Sequence, residues 1–174
     1  MKKVILSIII LIFLNVGCAR FNPGDYVIPD DQVFIAVIST LYTPENIGNY
    51  MLENFTYEIH DFTAQTPYEL YLSKKGDCDE FAAFGVFAAN YHNIETWQME
   101  IFDNTIFSHY IAVYNEGTWL SITDDQYYSY GYATFKEIVD YVCYIRSKEW
   151  RKYIVYDYDM NIIEKGEKEN GRIN

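Results

Sequence analysis

The sequence predicts an α+β fold in a single domain, and three observations predict it. The chain has 174 residues, which is enough for one ordinary domain and too few for two. Half of its residues are hydrophobic and 22% are charged, so a packed core is feasible over most of the length. Helical spacings come first along the chain, and strand-like segments with one helical insertion follow, which is the order of helices laid on an antiparallel sheet.

The helical half reads as follows. Residues 33–42 are mostly apolar and suit a helix lying on the core. Thr43-Pro44-Glu45 is a helix start, with Thr43 as cap and Pro44 at the first helical position, and Ile47, Tyr50, Met51 and Phe55 follow at helical spacing. Residues 68–73 form a short helical turn ending at Lys74-Lys75-Gly76. Residues 78–91 are apolar nearly all round through Phe81, Ala82, Phe84, Phe87 and Ala88, which makes this the buried central helix. Asp77, Asp79 and Glu80 stand at its start, where acidic groups suit the helix dipole.

The second half alternates. Strands are expected over 94–102, 106–114 and 119–124, with a turn at Asn115-Glu116-Gly117-Thr118. Residues 134–147 form an amphipathic helix with Phe135, Ile138, Val139 and Val142 on one face. One or two further strands are expected over 150–163, and the charged end from 164 onward should fray.

The first residues read as an export signal. Lys2 and Lys3 precede the run 4–14, apolar except for Ser7, which is too short to span a bilayer comfortably and fits a signal-peptide core. The Gly17-Cys18 that follows resembles a bacterial lipobox, in which a small residue precedes the cysteine that becomes lipidated. The expected organisation is a signal peptide over 1–17, a tether over 18–31 with Pro23, Gly24 and Pro29, a folded domain over 32–164 and a charged tail over 165–174. Lipidation of Cys18 would hold the domain on a cell membrane or outer membrane, facing the periplasm or the exterior.

The formal net charge of -12 repels phosphate backbones, and no Lys/Arg cluster offsets it, so nucleic acid is not an expected partner. The three cysteines, Cys18, Cys78 and Cys143, are widely spaced and form no disulfide framework. There is no Cys-x-x-Cys or His-x-x-x-His pair, so neither a metal nor another cofactor is expected. Cys143 sits beside Val139 and Val142 and reads as core.

Cys78 directly follows Gly76-Asp77 at the first turn of the central helix. Free N–H groups and the dipole favour a thiolate there, whereas Asp77, Asp79 and Glu80 oppose one if they face it. Of the three histidines, His60 lies in a polar stretch and His92 just past the helix; His109 alone falls inside a strand. His109, Ile111 and Val113 share one strand face, and the central helix is the candidate to lie against it.

A hairpin with Glu116-Gly117 at its tip would pair Val113 with Leu120, Ile111 with Ile122 and His109 with Asp124. Opposed Cβ atoms lie about 4.5–5.5 Å apart, close enough for a carboxylate to orient an imidazole. A one-residue slip would bury Ser121 and Thr123 instead, and Asp125 points to the other face.

Gly76-Asp77-Cys78-Asp79-Glu80-Phe81-Ala82, then Ser108-His109 opening a strand, then Trp119 shortly before Asp124, together resemble the core of the transglutaminase-like superfamily. The resemblance covers roughly residues 67–125. It implies a papain/transglutaminase-like fold, with a central buried helix carrying the cysteine packed on an antiparallel β-sheet. It further implies Cys78 as nucleophile, His109 as general base and acid, and Asp124 as orienting group. The chemistry implied is acyl transfer on a peptide or protein substrate through a thioester. The bland alternatives are a buried structural Cys78, a satisfied core His109, and an Asp124-Asp125 pair that caps a turn. The tyrosine run 127–132 covers the sheet or, alternatively, walls a substrate groove. A non-catalytic peptide- or envelope-binding lipoprotein that keeps the fold is the competing function.

Overall fold

The structure is a computed structural model describing residues 26–59, 64–105 and 108–168. The signal peptide, Cys18, most of the tether, His60 and residues 169–174 lie outside the described residues.

Helices α1 (Gln32–Thr40), α2 (Pro44–Asn54), α3 (Pro67–Ser73) and α4 (Cys78–Tyr91) come first. The strands β3 (Thr96–Asp103), β4 (Ser108–Asn115), β5 (Leu120–Asp124) and β6 (Gln126–Tyr132) follow, then α5 (Phe135–Ile145), β7 (Trp150–Tyr156) and β8 (Ile162–Glu167). Between the early helices, β1 (Thr56–Tyr57) and β2 (Lys75–Gly76) form a two-residue parallel pair that the sequence pattern did not announce. The six later strands make one antiparallel sheet in the order β6-β5-β4-β3-β7-β8. This is the expected α+β architecture, with α4 as its central helix.

Local chemistry explains the helix starts. Thr43, Thr66 and Thr134 each cap a helix by accepting an N–H from the third residue on. Asp77 caps α4, and Glu80 reaches back to the N–H of Asp77 to complete a capping box. Tyr26, at the described end of the expected tether, packs edge-on against Phe87 with ring centroids 5.1 Å apart. The expected charged tail is structured at its start, because residues through Glu167 pair with β7.

The sheet is covered on both faces. Phe81, Phe84 and Phe87 of α4 pack with Ala112 and Tyr114 on one side. Ile138, Val139, Val142 and Cys143 of α5 pack with Met99, Ile111, Val113 and Ile122 on the other. The face carrying Ile111 and Val113 therefore meets α5, and its alternate meets α4, the reverse of the sequence expectation. Both parities of β4 are apolar because both faces are buried, so alternation alone does not name the helix that each face meets.

The hairpin register also differs from expectation. Val113 lies opposite Ile122, and Asn115 lies opposite Leu120, a shift of two residues. The cause is a wider loop. Glu116 N–H donates to the Trp119 carbonyl at 2.9 Å, and Gly117 takes a left-handed φ of +93 with its N–H on Asn115 Oδ1 at 2.7 Å. A shift of two preserves the faces, so Ile122 still enters the expected core. Ser121 and Thr123 are buried as well, but satisfied: Ser121 donates to Glu116 Oε1 at 2.8 Å, and Thr123 Oγ1 bonds the Tyr114 hydroxyl at 2.7 Å.

At Gly85 the helix α4 lies almost in contact with the sheet. A Cβ there would collide with the Tyr114 hydroxyl and sit 2.9 Å from Ala112 Cβ and 3.2 Å from Thr123 Oγ1. Gly85→Ala should therefore lift α4 from β4 and cost about 1–3 kcal/mol. A urea denaturation midpoint unchanged from the parent would contradict this close approach.

Candidate active site

The β4–β5 ladder runs from Asn115–Leu120 to Ala112–Thr123 and records no pair beyond that point. At this open end lies a pocket of about 280 Å³, with Tyr57, Cys78, His109, Asp124 and Arg146 in its wall. Cys78 is half-buried at the first position of α4. Its sulfur accepts a hydrogen bond from the backbone N–H of Tyr110, the residue after His109. The cysteine comes from the helix covering one face of the sheet and the histidine from strand β4, on the parity that faces α5, yet both side chains line this one pocket.

His109 Nε2 lies 2.8 Å from Asp124 Oδ1, with both side chains largely shielded from solvent. A carboxylate only accepts, so Nε2 carries the proton and donates it. Nδ1 is then the nitrogen left for proton exchange with the sulfur. The contact is not the directly opposed pair expected from the sequence. In the observed register Asp124 falls two residues along from the position facing His109, and the imidazole makes the diagonal reach that long side chains can span. Asp125, the other candidate acid, sits in a left-handed turn with φ of 68 and makes no ion pair with the imidazole.

Arg146, at the C-terminal cap of α5, was not foreseen. Its Nη1 lies 3.2 Å from His109 Nε2 and 3.7 Å from Asp124 Oδ2. Nε2–H has no lone pair for a guanidinium, so the imidazole contact is a juxtaposition, and the charge pairing is with Asp124. Tyr57 was not foreseen either. It reaches the pocket from β1, a strand too short to leave a periodic signal.

The remaining sequence candidates fall elsewhere. Cys143 lies on the buried face of α5, in the core as expected. His92 caps α4 and bonds the Ile38 carbonyl at 2.8 Å through Nε2. The tyrosine run forms β6, whose Tyr128, Tyr130 and Tyr132 rings contact Tyr141 of α5.

Electrostatically the thiol is held in its neutral form. Burial pushes Cys78 up to about 12, and Asp77, Asp79 and Asp124 add to the effect, while the Tyr110 N–H opposes it. Asp77 and Asp79 act as their position suggests. Glu80 turns inward, accepting from Gln65 N–H and Asp77 N–H at 2.9 Å each. Carboxylate oxygens of Asp77, Asp79 and Glu80 lie within 4.8 Å of one another, the acidic grouping among the described residues that could share a hard cation. The N–H groups of Asp77 and Gln65 already engage both oxygens of Glu80. Burial, then the neighbouring Asp77, pushes Asp79 up to about 8.

No protein-family model matches the sequence, and no curated protein matches it. Solved structures overlap it in part. EGTA-treated LapG from Legionella pneumophila aligns with a TM-score of 0.49 and 13% identity, over 72% of this chain and 74% of that one. Calcium-bound LapG aligns at 0.45 and 18% identity, over 59% of this chain and 68% of that one. A further LapG structure aligns at 0.43 and 16% identity over 53% of this chain, which spans only 61% of that one. Residue roles rest on the pocket geometry alone.

Asp79 yields a prediction with a definite sign. Its folded pKa lies above the ordinary 3.8, so its contribution to stability is complete below that value and is lost as pH rises through about 8. Asp79→Asn should change stability little near pH 4 and raise it at about pH 9, as read by denaturant unfolding at both. Removing this charge should also speed iodoacetamide alkylation of Cys78 above about pH 8; equal or slower alkylation would contradict the charge assignment.

Proposed function

We propose that the protein is a transglutaminase-like cysteine hydrolase or acyltransferase acting on peptide or amide bonds outside the cytoplasm. One observation carries the reading: Cys78, at a helix N-terminus, lines the same pocket as a His109 whose Nε2 is fixed by Asp124 at 2.8 Å. A cysteine on a helix tip with an oriented imidazole on an adjoining strand is the arrangement of nucleophilic acyl transfer.

Because the Cys78 thiol rests neutral, His109 acts first as general base. It takes the sulfur's proton as Sγ attacks the substrate carbonyl carbon. The C–N bond then breaks, the imidazolium returns the proton to the leaving amine, and a thioester remains on Cys78. Water or a second amine attacks the thioester, His109 takes its proton, and the thiol is restored. Asp124 holds the imidazole in the tautomer that this sequence of steps needs.

The export reading belongs to the same proposal. Lys2-Lys3, the apolar run and Gly17-Cys18 support cleavage before Cys18 and acylation of that cysteine, with the domain held at a membrane. Cys18→Ala should move the protein from the membrane fraction to the soluble fraction; unchanged membrane association would remove the lipid anchor from the reading.

Catalysis is tested with p-nitrophenyl acetate. The expected result is release of p-nitrophenol with an acetyl group traced to Cys78 by mass spectrometry. Cys78→Ala should show none, and His109→Ala should fall by about 10²–10⁴-fold. Equal acylation of Cys78 and His109→Ala proteins would favour the binding-module alternative, in which the fold is kept without turnover.

A further inference from the structure

We propose that the Tyr57 hydroxyl, together with the backbone N–H of Cys78, forms the oxyanion hole of this site. The inference rests on the acyl-transfer reading and supplies the group that reading lacks, a side-chain donor for the carbonyl oxygen.

The strand pair β1–β2 exists over two residues only, with Thr56 opposite Lys75 and Tyr57 opposite Gly76. Two further bonds fix its register: Thr56 N–H donates to the Lys74 carbonyl at 2.9 Å, and Glu58 N–H donates to the Gly76 carbonyl at 2.8 Å. Gly76 lies two residues before Cys78, so the pair ties Tyr57 directly to the start of α4. The Tyr57 ring stands edge-on to Phe81, one turn beyond Cys78, with centroids 6.2 Å apart. Tyr57 and Cys78 both line the pocket.

Tyr57 is half exposed, its ring touches Phe81 at the edge, and its hydroxyl has no hydrogen-bond partner among the described residues, which leaves it free to donate into the pocket. The other hydroxyl-bearing pocket groups are engaged: Thr123 Oγ1 bonds Tyr114, and Tyr110 is buried and has partners of its own. Arg146 is committed to the Asp124 end of the imidazole, away from the nitrogen that serves the sulfur. The Cys78 N–H occupies the first helical position, where no intrahelical acceptor exists, and the Asp77 cap takes the N–H of Asp79 instead.

Burial first, with the charge of Asp77 adding to it, pushes the Tyr57 hydroxyl up to about 12, so it remains a protonated donor at working pH. As the Sγ–C bond forms, the carbonyl π pair moves onto oxygen. The resulting oxyanion accepts from Tyr57 O–H and Cys78 N–H. When it collapses the pair returns, and the C–N bond breaks toward the amine that His109 protonates. Two neutral donors on the wall of one pocket would stabilise developing negative charge by hydrogen bonding alone.

The test compares Tyr57→Phe with the parent in two reactions of Cys78. Acylation by p-nitrophenyl acetate builds an oxyanion and should fall by about 10²-fold, mainly in kcat. Alkylation by iodoacetamide passes through no oxyanion and should keep the parent rate, which shows the thiol and the fold intact. Full acylation by Tyr57→Phe, or a rise in KM with kcat retained, overturns the assignment. A parallel fall in alkylation also overturns it, since Tyr57 would then act on the sulfur. If Cys78→Ala acylates as fast as the parent, it is the acyl-transfer reading that fails, not the Tyr57 assignment alone.

Discussion

The buried carboxylate of Glu80 is the constraint on which the rest of the structure depends. Glu80 is 1% exposed, and its two oxygens accept from the N–H of Asp77 and the N–H of Gln65. A buried carboxylate is tolerable only when such donors replace its water. The first bond closes the capping box of α4; the second anchors residue 65, next to the Thr66 cap of α3. The start of α4, the start of α3 and the β2 segment between them are thereby joined through one side chain. The position of Cys78 follows, because it is the first residue of the helix so fixed.

The core then orients that helix. Gly85 lets α4 lie close on Ala112 and Tyr114 of β4, which sets the height of the helix above the sheet. From that height the Cys78 sulfur meets the backbone of Tyr110 at the rim of the strand, where it shares the pocket with His109. The site thus forms at an edge, where the two coverings of the sheet meet. Its electrostatics follow from the same placement. The acidic cap that builds the helix also raises the thiol, which therefore rests protonated beside the strand that carries His109.

Much of the fold was legible in the sequence because its signals are local. The Thr43-Pro44 start and the bounds of α4, Cys78–Tyr91, follow from caps and from the apolar run. The residues that meet in the pocket were legible through chemistry, since cysteine and histidine number three each and Cys78, His109 and Asp124 fall in order. What escaped was non-local. The hairpin register depended on Gly117 widening a loop, and a shift of two left every side chain on its predicted face, so hydrophobic pattern could not detect it. The helix met by each face of β4 was illegible because both faces are buried. Tyr57 and Arg146 reach the pocket from a two-residue strand and a helix cap, neither of which carries a period.

The opening between β4 and β5 has a further consequence. Backbone hydrogen bonds that would zip the two strands beyond Ala112–Thr123 are forgone, and the space they leave is the cavity that holds Cys78 and the His109–Asp124 pair. A sequence change that extended the ladder would make a firmer sheet and a smaller cleft. Selection for a firmer sheet and selection for an open cleft would therefore pull this hairpin in opposite directions.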